Sequence, residues 1–291
     1  HNPPGMITSY SDRFTPVNRI ISLLNRGIKC IHINVNDFSD SRISHHAPDY
    51  TAKLSSILNL SILLQTYFLL CMQVILTKDG SHTIYLPELK ESFHSINGAI
   101  SESRHVFIDA GLNIRWLNSM NVFEMGFGTG LNALLTWIEC KKQGRKVNYH
   151  TVEMDPLKDE MIRKLNYEEI LELNQEERLM FRLMHDAPWG KDTLMDNHFS
   201  LYKSQMSLLD FDFTEKYDLI YFDAFSPEKQ PDSWKHEIFE KLFATMNPGA
   251  ILTTYCAKGK VKRLFKEIGF ETEMLPGPPG KREMLRAIKM E

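Results

Sequence analysis

From residue 72 onward, apolar and polar positions follow two rhythms that alternate along the chain. Short apolar runs rich in β-branched and aromatic residues recur at 121–125, 147–153, 218–223, 249–255, 270–275 and 284–289, and read as strands. Between them, stretches with apolar residues three and four apart at 130–141, 157–172, 232–246 and 258–268 read as amphipathic helices. Asp232, after Pro231, is the expected N-cap of the third helix, and Pro248-Gly249 its expected stop. Ahead of this series, Val74–Leu76 and Thr83–Leu86 flank Lys78-Asp79-Gly80 and read as a hairpin. Strand alternating with helix predicts an α/β fold with a doubly wound, mostly parallel, Rossmann-like sheet. Such sheets bind ligands beyond the carboxyl ends of their strands. Glu124 to Gly130, Glu153 and Asp223 would share that edge.

Residues 1–71 carry neither rhythm. Residues 54–77 hold no charge, a length that can span a bilayer. Ser55, Ser56, Asn59, Ser61, Gln65 and Thr66 interrupt the run, and no basic flank or cleavage site frames it. We therefore expect 1–71 to be a poorly ordered or non-native extension upstream of a start at Met72, with 72–291 as the working domain and no stable membrane association. With 43% apolar residues in 291, a sizeable core is available. The net charge of −3 supplies no global field for nucleic acid, so a polyanion site must be a local patch. Cys30, Cys71, Cys140 and Cys256 are scattered, which speaks against zinc or a disulfide framework and suits a reducing cytoplasm.

The chemistry concentrates at two places. Residues 122–130 read Val-Phe-Glu-Met-Gly-Phe-Gly-Thr-Gly, a buried strand running into a glycine turn that opens a helix. Tyr149 to Glu153 follow as a second apolar run closed by an acid. Glycines at 126, 128 and 130 let backbone approach a ligand, and the Glu153 carboxylate can accept ribose hydroxyls. Glycine turns also serve packing alone. Glu124, however, sits inside its strand, where burial demands a partner or a cationic ligand. The glycine spacing is tighter than in dinucleotide binders. Acids at both strand ends suit a nucleoside ligand that is cationic at its methionine end, S-adenosylmethionine. Asp223-Ala-Phe225-Ser-Pro227 follows the apolar run 219–222, and this acid and aromatic are well placed to hold a nucleophilic amine. A free alkylamine has a pKa near ~10.4 and attacks only when neutral, so a carboxylate that takes its proton gives general-base help.

At these residues a resemblance becomes specific. Residues from about 74 to the end resemble the methyltransferase part of the tRNA 5-methylaminomethyl-2-thiouridine biosynthesis family, the MnmC methyltransferase domain and stand-alone MnmD. The matching text is Glu102-Ser-Arg-His-Val-Phe107, Glu124 to Asn132, Pro188-Trp189, Asp223 to Pro227 with Lys229, Pro231, Asp232 and Trp234, then Thr254-Tyr255, Gly259-x-Val261-x-Arg263 and Gly280 to Leu285. The resemblance implies methylation, from S-adenosylmethionine, of the aminomethyl nitrogen on a wobble uridine of tRNA. It implies that Gly126, Gly128 and Gly130 line the methionine end, Glu153 holds the ribose and Asp223 faces the amine. No second glycine fingerprint leaves room for the flavin oxidase fused in two-part relatives, so methylation alone is expected. One departure concerns the adenine. Relatives often place an acid after the third strand, where this chain reads Leu201 to Met206, and Gln205 is the substitute acceptor.

Other residues remain open between roles. Lys258, Lys260, Lys262, Arg263 and Lys266 make either a solvated helix face or a grip on tRNA phosphates. Lys281-Arg282 forms a second basic turn with the same choice. Trp189 and Trp234 can stack on a base or pack in the core. His94 and Glu102 belong to a polar segment that can fold over the cofactor, and Cys256 has no catalytic partner. The alternatives to tRNA methylation are an S-adenosylmethionine-dependent N-methyltransferase for a protein or small-molecule amine, and a non-catalytic nucleoside-binding module. An aminopropyl transferase shares the fold, but the acids expected after its glycine turn are missing. No metal is expected, and the oligomeric state is not legible.

Overall fold

The computed structural model describes residues 72–290, so the expectation for residues 1–71 lies outside the described residues. The main sheet has eight strands: β4 (Ser119–Met125), β5 (Lys146–Glu153), β6 (Thr193–Leu194), β7 (Phe199–Gln205), β8 (Tyr217–Phe222), β9 (Met246–Thr254), β10 (Glu271–Pro276) and β11 (Glu283–Ile288). Their spatial order is β10-β11-β9-β8-β4-β5-β7-β6. The pairs β4–β5, β4–β8, β5–β7 and β8–β9 are parallel, while β6, β10 and β11 run antiparallel at the edges. The chain leaves β4 toward β5 and β7, then returns to its other side for β8 and β9. That reversal is the switch point at which such sheets open a crevice. A separate three-stranded antiparallel sheet, β1 (Gln73–Leu76), β2 (His82–Leu86) and β3 (Glu91–Ser92), realises the expected hairpin.

Successive strand residues point to opposite faces, and the two faces are covered by different helices. Tyr221 meets Phe107 at 5.1 Å between ring centroids and shares a hydrogen bond with Thr136 at 3.2 Å. Those partners sit on a π-helical segment (Arg104–Leu112), which continues α1 (Ala99–Ser103), and on α2 (Leu131–Gln143). The next residue, Phe222, packs instead on Trp234 and Phe239 at 4.8 and 4.7 Å. Ile238, Phe239 and Leu242 of α6 (His236–Thr245) and Val261 and Phe265 of α7 (Gly259–Ile268) close this second core. Among the described residues, no helix is long and apolar enough to cross a membrane.

Three departures from the expected elements have identifiable causes. The single helix expected at 157–172 is two short turns, α3 (Asp159–Ile162) and α4 (Tyr167–Ile170), followed by α5 (Gln175–Asp186), which was not expected. Asn166 breaks it, because its amide is committed to the small sheet: it accepts from the His82 N–H at 2.7 Å and donates to the Gly80 carbonyl at 2.8 Å. Strand β7 escaped the apolar pattern because Ser200, Lys203, Ser204 and Gln205 interrupt it. Lys203 is nevertheless buried, its ammonium donating to the Met184 and His185 carbonyls at 2.8 Å each. Asp232 does not cap α6. It lies in a 3-10 turn (Pro231–Trp234), paired with Lys235, and the helix ends at Thr245, so that Pro248 and Gly249 lie in β9.

Phe239 is fully buried between Phe222, Trp234 and Phe265 and supports the segment that follows β8. Phe239→Ala should therefore cost about 3–5 kcal/mol, read as a lower midpoint in denaturant unfolding with little change in slope.

Candidate functional site

Register brings the predicted residues level. Met125 of β4 pairs with Val152 of β5 and with Phe222 of β8, so Gly126, Glu153 and Asp223 are the next residues on three adjacent strands. Glu153 in turn pairs with Gln205 of β7. Two backbone bonds lock the row: the Gly126 N–H donates to the Val152 carbonyl at 2.9 Å, and the Asp223 N–H to the Met125 carbonyl at 3.2 Å.

Gly126 adopts φ +91°, and a Cβ there would stand 3.3 Å from the Asp223 carbonyl oxygen. Gly128 adopts φ +50°, and a Cβ there would meet Phe93 at 3.1 Å. Left-handed backbone plus close approach requires glycine at both. The Gly128 N–H donates to Glu153 Oε2 at 3.1 Å and the Asp155 N–H to Glu153 Oε1 at 3.0 Å, so the acid at the end of β5 holds the turn. Burial pushes the Glu153 carboxyl up to about 7 despite these donors.

Glu124 is fully buried, and neither of its carboxyl oxygens has a hydrogen-bond partner in the structure. Asn132, Tyr149 and Thr151 stand close enough to favour its charged form, yet none meets hydrogen-bond geometry. Burial, and then the nearby Asp223, hold the Glu124 carboxyl well above the ordinary range. Asp223 is half-buried and accepts from Asn132 Nδ2 at 3.0 Å. Burial first, then the charge of Glu102, raise its carboxyl to about 7, while Asn132 and Lys281 pull the other way. The orphaned Glu124 carboxyl, the glycine turn and Glu153 are a donor set that fits S-adenosylmethionine, with its cationic methionine end and ribose hydroxyls.

The loop after Asp223 is braced from below. The Trp234 indole N–H donates to the Phe225 carbonyl at 2.8 Å, and the Phe225 N–H donates to Gln230 Oε1 at 3.1 Å. Phe225 packs edge-on against Phe93 at 5.6 Å, and Pro227 is buried. Trp234 itself is a core residue, the packing alternative of its two readings, and its indole supports the loop. Gln205 is exposed at the end of β7. Beside Gly128, a cavity of ≈ 50 Å³ lies between Phe127, Pro156, Leu157, Trp189 and Lys203. A hollow of ≈ 180 Å³ between Leu183, Ala187, Thr193 and Met195 borders the edge strand β6 and contains none of the row.

The basic residues divide. Lys258 and Lys260 both pair with Glu228, the latter at 2.7 Å, so the start of α7 is partly neutralised. Arg263, Lys266 and Arg282 are exposed. Lys281 turns onto Glu102 at 2.6 Å and lies 3.6 Å from the Tyr255 ring centroid, which leaves it half-buried. His94 is buried, and burial pushes its imidazole down to about 4. Cys256 is buried, its thiol raised by burial. Among the described residues, no group of three or more His, Cys, Asp or Glu could hold a metal ion.

Sequence reading assigned no role to Asn132, although it stands two residues after the last glycine in the matched text. Tyr255 and Lys203 were unassigned as well. Tyr255 follows β9 as Asp223 follows β8, and that parallel position was the available signal.

Gly126→Ala is expected to strain the turn against Asp223 by about 1–3 kcal/mol. A thermal melt of the variant should shift down accordingly, and an unchanged melt would contradict the close approach.

Residues 191–290 match a family model described as S-adenosyl-L-methionine-dependent methyltransferase. The "tRNA 5-methylaminomethyl-2-thiouridine biosynthesis bifunctional protein MnmC" of Leptospira interrogans serogroup Icterohaemorrhagiae serovar copenhageni is 30% identical over 222 residues, 72% of this chain and 34% of that protein. The protein of the same name from Ralstonia nicotianae is 30% identical over 225 residues, 72% and 33% respectively. The chain thus spans about a third of the length of these relatives. Among solved structures, MnmC2 from Aquifex aeolicus superposes with a TM-score of 0.61 at 18% identity, covering 76% of this chain and 70% of that one, a likeness of fold. Together these matches support a place for the chain among the S-adenosyl-L-methionine-dependent methyltransferases, beside the methyltransferase part of the proteins named MnmC, and its fold agrees.

Proposed function

We propose that residues 72–291 form a methyltransferase domain that moves the methyl group of S-adenosylmethionine to the aminomethyl nitrogen of a modified wobble uridine in tRNA. The observation that carries this reading is Asp223, a half-buried carboxyl at the end of β8, level with the glycine turn and held by Asn132 at 3.0 Å. The 30% identity to proteins named for tRNA 5-methylaminomethyl-2-thiouridine biosynthesis supports the choice of acceptor. The cytoplasm, where tRNA is found, is the corresponding location.

When bound, S-adenosylmethionine supplies an electrophilic methyl group. Gly126, Gly128 and Gly130 would receive its methionine end, Glu124, neutral while buried without a partner, would ionise to meet its positive charge, Glu153 would accept its ribose hydroxyls, and Gln205 would serve the adenine. Asp223 accepts a hydrogen bond from the substrate's ammonium and then its proton, which leaves the nitrogen lone pair for the new bond. A carboxyl raised to about 7 is matched to that task near neutral pH, where such help amounts to roughly 10²–10⁴-fold. Phe225 packs against the flat base, with Pro227 stiffening the loop and Trp234 supporting it from the core. Arg263 and Arg282, both exposed, contact the tRNA backbone, whereas Lys260 and Lys281 are paired with Glu228 and Glu102.

Two experiments test this. Asp223→Asn keeps an oxygen for Asn132 but cannot take a proton. Methyl transfer to tRNA should fall at least ~10²-fold while calorimetric affinity for S-adenosylmethionine holds; retained turnover would remove Asp223 from its role. The second is a pH profile. Asp223 accepts the proton only when ionised, so kcat/KM should rise with pH through about 7 and be lost below it. A flat profile between pH 5 and 8 would contradict the assignment.

A further inference from the structure

Glu102 and Lys281, separated by 179 positions, form a part-buried ion pair beside the candidate site. Glu102 has both oxygens engaged: Oε2 accepts the Ser95 N–H at 2.7 Å and Oε1 accepts the Lys281 ammonium at 2.6 Å. The same ammonium lies over the Tyr255 ring at 3.6 Å from its centroid, a cation–π geometry. Tyr255 donates its hydroxyl to the carbonyl of Ala224, the residue after Asp223, at 3.0 Å. The turn that carries Lys281 is fixed rather than loose. The Gly277 N–H donates to the Arg282 carbonyl at 3.0 Å, and the Lys281 N–H to the Pro278 carbonyl at 2.9 Å. His105 and the Pro276 carbonyl share a further bond at 2.8 Å.

The groups around Asp223 come from every element that meets there. Asn132 comes from α2, Glu124 from β4, Tyr149 from β5, Tyr255 from the end of β9, Glu102 from α1 and Lys281 from the β10–β11 turn. Glu124, Glu102 and Asp223 are carboxyls, and Lys281 is the cation of this set. Carboxyls that share one part-buried site do not all ionise readily without a counter-charge.

We propose that Glu102 and Lys281 are a pair of positioning residues for the chemistry at Asp223: with Tyr255 they fix two opposite charges beside the loop that carries Asp223, and those charges set how readily its carboxyl becomes open to a substrate amine. Glu102 is already engaged by Ser95 and Lys281. This rests on reading Asp223 as the proton acceptor, but its central test needs no substrate.

Carbon-13 carboxyl NMR on the apoprotein, with Asp223 identified by the signal lost in Asp223→Asn, gives the titration midpoint directly. Lys281→Met should raise the midpoint by about one pH unit, Glu102→Gln should lower it, and Lys281→Arg should leave it near wild type. Opposite displacements distinguish a charge-setting pair from a merely structural one, which would move neither or both alike. An unmoved midpoint in folded Lys281→Met, or displacements of the same sign, would overturn the proposal. If Lys281→Met does not fold, a midpoint that fails to fall in Glu102→Gln overturns it equally. In activity assays the acid limb of kcat/KM should move with the midpoint in each variant. Absence of methyl transfer by the wild type would refute the proposed reaction while leaving the NMR result to decide this inference.

Discussion

Everything at the carboxyl edge of the sheet depends on a carboxyl that the fold buries and leaves unpartnered. Glu124 is inaccessible, without a hydrogen bond to either oxygen, and lies on the strand next to that of Asp223. Glu153 and Asp223, level with Gly126, are both raised to about 7 by burial. A carboxyl whose folded pKa exceeds its unfolded value favours the fold while protonated. That contribution is complete below the ordinary values of 3.8 and 4.5 and is lost as pH rises through about 7. At neutral pH the edge is therefore short of positive charge. A ligand with a sulfonium and an ammonium, and a substrate with an amine, are what such an edge receives best.

The scaffold delivers this arrangement through register rather than through local sequence. Parallel pairing puts Gly126, Glu153 and Asp223 in one row, and the reversal of strand order at β4 opens the crevice above them. The small sheet and the segment that follows it reach the same edge, where Phe93 meets both Gly128 and Phe225. Trp234 and Phe239 then connect the loop after β8 to the second core. A core residue and a site residue are thus separated by one hydrogen bond.

Much of this was legible in the chain because strand ends and glycine turns carry local signals. The runs before Gly126, Glu153 and Asp223 are apolar and short, and their acids stand out at the boundaries. What was not legible depended on tertiary partners. Asn166 interrupts a helical pattern only because the small sheet takes its amide, and Lys203 belongs in a strand only because the end of α5 takes its ammonium. Lys281 read as a surface charge because nothing local announces that Glu102 lies opposite. Trp234 had two equally good readings, and the neighbourhood of Phe222 and Phe239 selected the core.

The most direct measurement is nucleoside mass analysis of tRNA from a strain lacking this enzyme, after incubation with the chain and S-adenosylmethionine. Our account predicts that methylaminomethyl-uridine appears as aminomethyl-uridine disappears. Unchanged nucleosides, with cofactor binding demonstrated on the same preparation, would contradict it and move the acceptor to another amine.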